Sequence, residues 1–404
     1  MLSTDEVARR LGVKPATVYA YVSRGLLVSK RNANGKGSLF AETDVEAFVA
    51  ARRRPSTPEE SPPIRTGLTL IRDGALYLRG HDVSGLARDN SYESVVMLLW
   101  TGELAHVRLC PSAELLALAR AVSAPLPAAA RLTDRLRVIV AAAAAADPLR
   151  FDTAPPAVIA TGQTMLATMV EALPTRDEPR GQPELAARFP LAGALWSRLT
   201  AVAPTAAGIA LLNAALILLA DHDIAASTLA ARVAASTRAH PYAVVGAGLA
   251  ALDGPLHGAA SGPAYALLAD AVHSGDPMAA ISARLRVGEA TPGFGHRLYP
   301  DGDPRAKNLL AQLHETVNSG ALSDAASLAI IDEVATAVTR RSGVAPNIDF
   351  AIAACTLLSG MSADAGEAIF AVARTAGWIA HALEEYADRP SRFRPSGHYA
   401  GRLP

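Results

Sequence analysis

One glycine- and proline-rich stretch, residues 291–306 (TPGFGHRLYPDGDPRA), constrains this chain more than any other. Three glycine or proline positions precede His296, so the backbone can bring that imidazole close to a ligand without a Cβ in the way. The pair Asp303-Pro304 disfavours a continuing helix, and Arg305 follows the histidine by nine positions. An imidazole and a guanidinium held together suit a small acid with a carbonyl and a carboxylate, whereas the alternative is a loop with a solvated arginine.

Two further segments accompany this stretch. Residues 254–258 read GPLHG, and residues 346–349 read PNID. Together the three motifs resemble the signature of the citrate synthase family, which has a GPLHG turn, then GFGHRVYK…DPRA, then PN-[VI]-D. Three separately placed motifs in the right order are much harder to obtain by chance than one. The resemblance extends from about Gly67 to Gly401.

Bulk properties exclude several classes of protein. The 404 residues allow two or more domains, half of the residues are hydrophobic, and alanine-rich runs such as 138–146 predict a mainly helical chain. Two cysteines cannot make a disulfide framework, and no Cys/His pattern indicates a metal site. No signal peptide opens the chain, and its apolar runs are too short to span a bilayer. We therefore expect a soluble, cytoplasmic protein that does not contact a membrane.

The amino-terminal residues differ from the rest in charge. Residues 1–54 carry ten basic and five acidic side chains, although the whole chain has no net charge. Helices are predicted over 2–10 and 16–23, followed by a basic, hairpin-like stretch and a third helix from about Thr43 to Arg53. This pattern resembles the MerR- or excisionase-type winged helix-turn-helix, in which the second helix enters the major groove of DNA.

That resemblance implies contacts with duplex DNA. The side chains predicted to face DNA lie on and around the second helix: Lys14, Thr17, Tyr21 and Arg24. The basic excess favours this interpretation over two alternatives, a packed three-helix domain without a DNA role and a module for self-association. A linker rich in proline, serine and charge is predicted over residues 55–62.

The two resemblances together imply a mainly α fold, a citrate synthase-like two-domain helical fold preceded by a small winged helix-turn-helix domain at 1–54. The large domain would comprise residues 63–255 and 350–404, and the small domain residues 256–349. Ligands would bind in the cleft between them, and closure would exclude water. A β-hairpin with a turn at 73–74 is also predicted.

The family's reaction joins the methyl carbon of acetyl-CoA to the carbonyl of oxaloacetate and then hydrolyses the thioester. Because a thioester methyl is a very weak acid, the reaction needs a base and a donor to the enolate oxygen. The resemblance implies that Asp349 is the base, that His257 donates to the thioester oxygen and that His296 polarises the acceptor carbonyl. It implies no metal or redox cofactor, with acetyl-CoA or propionyl-CoA as a substrate.

Oxaloacetate is a dianion and needs several cations in fixed geometry. The positions that match the family's oxaloacetate contacts are His222, Arg305, Arg374 and Arg394. In the family the residue at the position of Arg394 enters the neighbouring subunit's site, which implies a homodimer with composite active sites. His222 falls in a stretch, 211–235, that is predicted to be one long buried helix.

The chain departs from the family at three positions. Leu219 replaces a second histidine, Pro300 replaces a lysine that contacts CoA, and Ser261 replaces the asparagine of GGAN. Three functions stay open: a citrate synthase, a 2-methylcitrate synthase that uses propionyl-CoA, and a transcription regulator whose synthase-like body senses CoA or dicarboxylates. One methylene in a pocket separates the first two.

Overall fold

A computed structural model describes residues 1–11, 13–23, 27–31, 38–53, 64–176, 187–322, 324–393, 399 and 401. Contacts within the chain divide it into a first unit, Met1–Arg65, and a second unit, Thr66–Pro404. The predicted linker 55–62 lies outside the described residues. The division of the second unit into a large and a small domain stays a prediction.

The first unit is built from short helices and a small antiparallel sheet. Its described elements are β1 (Leu2–Ser3), α1 (Thr4–Leu11), α2 (Pro15–Ser23), β2 (Ser29–Arg31), β3 (Ser38–Phe40) and α3 (Glu42–Arg53). The strand order is β1-β3-β2. Ser3 and Glu6 form a reciprocal cap at the start of α1, with Ser3 N 2.7 Å from Glu6 Oε2; the helix therefore begins at Thr4, two residues after the predicted start, and Leu2–Ser3 form a strand instead. Val7, Val18 and Phe40 are fully buried at the centre of the unit.

The second unit opens with a small sheet and continues as helices. Its strands are β4 (Thr69–Arg72), β5 (Ala75–Leu78) and β6 (His81–Asp82). The helices of its first part are α4 (Val83–Asp89), α5 (Tyr92–Thr101), α6 (Ala113–Ser123), α7 (Leu132–Ala146), α8 (Pro155–Glu171), α9 (Pro190–Leu199) and α10 (Ala206–Leu219). Asp73 and Gly74 both have positive φ, 52° and 74°, as a two-residue type I′ hairpin turn requires. The predicted hairpin is therefore confirmed.

The later helices complete the unit. They are α11 (Ala226–Ser236), α12 (Pro241–Leu252), a 3₁₀ turn (Gly258–Ala260), α13 (Ser261–Ser274), α14 (Pro277–Arg286), α15 (Pro304–Asn318), α16 (Ala325–Ser342), α17 (Ile348–Leu358) and α18 (Ala365–Ala387). Side-chain caps fix the starts of several of these helices, including Asp303 for α15 and Asn347 for α17. Among the described helices, none has both the length and the apolar character needed to cross a membrane.

Helix α18 is the central helix of this unit. It packs against α5, α7, α8, α10, α11 and α12. Trp378 on α18 is fully buried, and a Cβ on Gly248 of α12 would lie 2.5 Å from its indole ring. The glycine therefore lets the two helices approach closely, and this close packing fixes the position of α18.

The predicted helix over 211–235 is wrong. The structure has two helices, α10 and α11, separated by a loop that carries His222 and in which Asp223 has a φ of 50°. Two hydrogen bonds from α18 cap the carbonyls at the end of α10: Arg374 Nε donates to Leu219 O at 2.8 Å, and Gly377 N–H donates to Ala220 O at 3.1 Å. Apolar periodicity along α10 does not reveal these distant donors, which is why the prediction failed.

Candidate active site

The glycine-rich stretch and the PNID segment are hydrogen-bonded to each other. Gly293 and Gly295 have φ values of 86° and 79°, and a Cβ on Gly293 would lie 2.9 Å from Phe350 Cβ. Asn347 N–H donates to Gly293 O at 2.9 Å, and Asn347 Nδ2 donates to Gly295 O at 2.9 Å. These bonds hold the backbone just before His296 against the start of α17.

His296 belongs to a cluster of three rings. Its ring centroid lies 5.1 Å from that of His222, edge to face, and 4.9 Å from that of Tyr299. The Tyr299 hydroxyl lies 2.9 Å from His222 Nε2. Leu298 N–H donates to His296 Nδ1 at 3.1 Å, so the neutral imidazole carries its proton on Nε2. The Nε2–H group is therefore the donor that His296 can offer to a ligand.

Both imidazoles of the cluster are held neutral. Burial lowers the pKa of His296, and the Arg305 guanidinium lowers it further, although Asp303 opposes this. The pKa of His222 is well below its ordinary value, first because of burial and then because of Arg305 and Arg374. Near neutral pH the two side chains therefore act as neutral hydrogen-bond partners.

His257 is oriented by Ser227. His257 Nε2 lies 2.7 Å from Ser227 Oγ, and Ser227 N–H points at the same nitrogen from 3.4 Å. Trp378 Nε1 donates to Ser227 Oγ at 3.3 Å, which leaves the hydroxyl proton for His257. Since Nε2 accepts, the proton of the neutral ring is on Nδ1. Burial, together with the charge of Arg374, lowers the pKa of His257 to about 4, so this Nδ1–H donor is neutral.

Asp349 lies in the first turn of α17, where its backbone N–H donates to Asn347 Oδ1 at 3.0 Å. Burial raises the pKa of the carboxyl to about 6; the charge of Arg305 opposes this shift and that of Asp303 adds to it. No described residue donates a hydrogen bond to the carboxylate. A carboxylate with a raised pKa and no internal partner is suited to accept a proton from a substrate.

Two buried arginines supply the positive charge. Arg305 is 2% exposed, and its Nε and Nη2 bind Asp303 at 3.0 and 2.8 Å, which leaves Nη1 without a described partner. Arg374 is 1% exposed and donates from Nε to Leu219 O, whereas its Nη1 is buried without a hydrogen-bond partner among the described residues. Burial lowers the pKa of Arg374 to about 10, so it is still charged at pH 7. Such groups are expected to bind an anion.

The structure brings six of the predicted site residues into electrostatic range of Arg305 or Arg374: His222, His257, His296, Asp349 and the two arginines themselves. Arg394 lies outside the described residues. The sequence reasoning missed Tyr299 and Ser227, both of which contact a predicted histidine. Tyr299 was visible within the HRLY motif, whereas nothing in the sequence pairs Ser227 with His257.

The predicted DNA-contacting residues lie on the first unit. Lys14 is exposed at the start of α2, and Thr17 is half-buried. Tyr21 was predicted to be available outside the core, but it is half-buried and its ring packs against Phe48 with centroids 5.3 Å apart. Arg24 lies outside the described residues. Tyr19, which the sequence reasoning did not select, is 51% exposed on α2.

Comparison with known proteins agrees with this fold. Residues 59–396 match the citrate synthase C-terminal domain family, and residues 1–53 match a helix-turn-helix domain family. The second unit has the fold of a citrate synthase-type enzyme, and the first matches a helix-turn-helix domain, as predicted. The chain belongs to the citrate synthase family.

Individual relatives support this assignment. The chain is 32% identical to a citrate synthase of Haloferax volcanii over 362 residues, which cover 81% of this chain and 90% of that protein. It is 30% identical to a 2-methylcitrate synthase of Mycobacterium tuberculosis, with 87% and 95% covered. A solved citrate synthase from Thermoplasma acidophilum shares the fold, with a TM-score of 0.67 at 24% identity over 84% of this chain and 94% of that one.

Proposed function

We propose that the second unit condenses acetyl-CoA with oxaloacetate and water to give citrate and free CoA. One arrangement carries this proposal. A carboxylate with a raised pKa, Asp349, and two neutral imidazole donors, His257 and His296, lie within electrostatic range of the positive charges of Arg305 or Arg374. The arrangement has a base and a donor for enolisation, and cations for a dianionic acceptor. The proposed reaction needs neither a metal nor a redox cofactor.

The first step makes the nucleophile. Asp349 takes a proton from the methyl group of acetyl-CoA, and the electron pair moves to the thioester oxygen. His257 donates its Nδ1–H to that oxygen, because Ser227 occupies Nε2. Because the pKa of the His257 imidazolium is about 4, the ring is neutral near pH 7, and a neutral imidazole is so weak an acid that it hydrogen-bonds to the enolate oxygen without giving up its proton.

The second step forms the carbon–carbon bond. The enolate carbon attacks the carbonyl of oxaloacetate while His296 Nε2–H donates to the carbonyl oxygen and protonates the alkoxide. The proton that Asp349 took from the methyl group then returns to His296 through water, so both side chains are restored. The free Nη1 groups of Arg305 and Arg374 bind the carboxylates, and His222 completes the pocket. Water then cleaves the thioester, so that one acetyl-CoA, one oxaloacetate and one water give one citrate and one CoA.

The proposal includes a homodimer in which Arg394 reaches the neighbouring subunit's site. Membership of the citrate synthase family supports this part of the proposal. Each subunit would supply one arginine that binds an oxaloacetate carboxylate in the site of the other subunit. The measurement is the mass of the protein in solution together with mixing of two inactive variants, Asp349→Asn and Arg394→Gln. Mixed dimers regain one intact site if Arg394 acts across the interface, and no regained activity would contradict this part.

The pH dependence of the proposed reaction follows from Asp349. Its raised pKa of about 6 means that the base is protonated and inactive below that pH, so kcat/KM should fall about tenfold per pH unit there. A carboxyl whose pKa is raised by folding favours the folded state when it is protonated, so this group does not cause unfolding as the pH falls. Initial rates and melting temperatures between pH 5 and 8 are the measurement. A rate that stays constant to pH 5 would contradict the assignment.

We also propose that the first unit binds duplex DNA through the exposed start of α2. The basic excess of residues 1–54 and the helix-turn-helix match support this. Replacing Lys14 with Ala should weaken binding to a mixed-sequence duplex. The slope of log K against log salt concentration should become smaller by about 0.9, which corresponds to the loss of one phosphate contact. Arg10→Ala is the matched control, because Arg10 is paired with Glu42 and Glu46. Equal effects of the two substitutions would contradict a specific role of Lys14.

Product identification tests which thioester is used. The enzyme is incubated with oxaloacetate and equal concentrations of acetyl-CoA and propionyl-CoA, and the products are separated by mass. We expect mainly citrate; mainly 2-methylcitrate would move the assignment to the class of the Mycobacterium tuberculosis relative. If the folded protein forms neither product but binds both ligands, a ligand-sensing regulator becomes the better account.

A further inference from the structure

One face of α18 forms a hydrogen bond with each of the three residues that precede His222. The α18 positions involved are three or four residues apart and so share a face of the helix: Arg374, Gly377 and His381. The first two donate to the carbonyls of Leu219 and Ala220, as described above. The third places its Nε2 3.3 Å from the Asp221 carboxylate. The residue directly before His222 is therefore tied to the last of these positions.

The His381 ring connects Asp221 to a buried arginine. Arg232 Nη1 lies 2.5 Å from His381 Nδ1. A guanidinium only donates, so Nδ1 accepts and the proton of the ring is on Nε2, facing Asp221. His381 and Asp221 are fully buried, and Arg232 is 1% exposed. The imidazole thus has one orientation and one tautomer, and both are set by its two neighbours.

The network continues past the carboxyl end of α18. Arg232 donates from Nε to Glu385 at 2.5 Å and from Nη1 to Glu384 at 2.6 Å. Glu385 is fully buried and also binds Arg392, whose Nε lies 2.8 Å from Glu385 Oε2. Arg392 is therefore the outer end of a continuous chain of hydrogen bonds that reaches the loop of His222.

We propose that His381 is a positioning residue for oxaloacetate, and that the chain from Arg392 to Asp221 holds His222 at the correct place beside Arg374. Several charged groups are buried in this chain at a desolvation cost, and none of them takes part in the proposed chemical steps. Their common end point is the loop that carries His222. The inference rests on the proposed function, since it assigns oxaloacetate as the ligand of His222.

Kinetics of two substitutions at one position test the inference. His381→Phe removes both hydrogen bonds at similar volume, whereas His381→Gln keeps one acceptor for Arg232 and one donor for Asp221. For the Phe variant we expect KM for oxaloacetate to rise about tenfold with KM for acetyl-CoA unchanged, and the Gln variant should recover most of the loss. A general loss of structure would change both KM values and the melting temperature. Equal changes in both KM values would overturn the proposal.

A second pair of variants tests the outer end of the chain and does not depend on folding of a buried site. Arg392→Gln removes one of the two arginines that bind the Glu385 carboxylate, and Arg389→Gln makes the same charge change at an exposed position nearby. Only Arg392→Gln should raise KM for oxaloacetate, by about threefold. Equal KM values for the two variants would contradict the proposed extension of the network to Arg392.

Binding of oxaloacetate, measured by calorimetry without any thioester, separates the two levels of the account. Weaker binding by His381→Phe than by the wild type would support the inference even if no citrate forms, in which case only the proposed reaction fails. Citrate formation with unchanged oxaloacetate binding in His381→Phe would overturn the inference alone. A wild type that neither binds oxaloacetate nor forms citrate would overturn both.

Discussion

Replacement of Asp349 by Asn should lower kcat for condensation by about 10²- to 10⁴-fold, the usual contribution of a positioned general base. The amide has nearly the same shape as the carboxyl and leaves the backbone cap at Asn347 in place, but it cannot accept the methyl proton. Burial already disfavours the charged form of Asp349, so the neutral amide should not destabilise the fold. Rates with saturating acetyl-CoA and oxaloacetate are the measurement.

The control for this substitution is Asp301→Asn, which makes the same chemical change at an exposed position within the glycine-rich stretch. It should leave kcat within about twofold of the wild type, since exposed substitutions have small effects. If Asp349→Asn keeps more than a tenth of the wild-type kcat, another group is the base. If both substitutions abolish the activity, the effect of the first is not specific.

Replacement of Arg374 by Met should raise KM for oxaloacetate by about 10²-fold or more, because a buried, hydrogen-bonded charge pair with a ligand is typically worth about 2–5 kcal/mol when one partner is removed. The guanidinium is almost fully buried, and its Nη1 has no hydrogen-bond partner among the described residues. Burying this incompletely paired charge lowers the free energy of unfolding, so replacement by methionine should leave the melting temperature unchanged or raise it. Oxaloacetate titrations and thermal melts of both proteins are the measurement.

A matched control is Arg341→Met, at an exposed position on α16. This variant should bind oxaloacetate as the wild type does. A large fall in the melting temperature of Arg374→Met with unchanged KM would show that Arg374 stabilises the fold through Leu219 O and does not bind substrate. An unchanged melting temperature with a large rise in KM would show that Arg374 binds oxaloacetate and contributes little to the stability of the fold.

Sequence reasoning predicted the motifs better than the connections between them. The positions of His257, His296 and Asp349 follow from three short motifs, and the structure places all three near Arg305 or Arg374. Local rules also predicted the turn at 73–74, because positive-φ turns depend on neighbouring residues, and they placed the start of the first helix within two residues of Thr4.

What failed depended on distant residues. The end of α10 is set by a donor on α18, Arg374, that is 155 positions away from Leu219 in the sequence, so the apolar pattern of 211–235 gave no sign of the break. Ser227 was missed for a similar reason, since its hydroxyl meets His257 only after α11 and the GPLHG turn have packed together. The tautomers of His257 and His296 could not be predicted either, because each is set by the hydrogen bond that one ring nitrogen accepts in the fold.

The most direct test of the account is oxaloacetate-dependent release of the CoA thiol from acetyl-CoA, measured for the wild type beside Asp349→Asn and Arg374→Met. The account predicts rapid release by the wild type, almost none by Asp349→Asn at any substrate concentration, and release by Arg374→Met that recovers at high oxaloacetate concentration. No release by the folded wild type, or equal release by the wild type and Asp349→Asn, would contradict it.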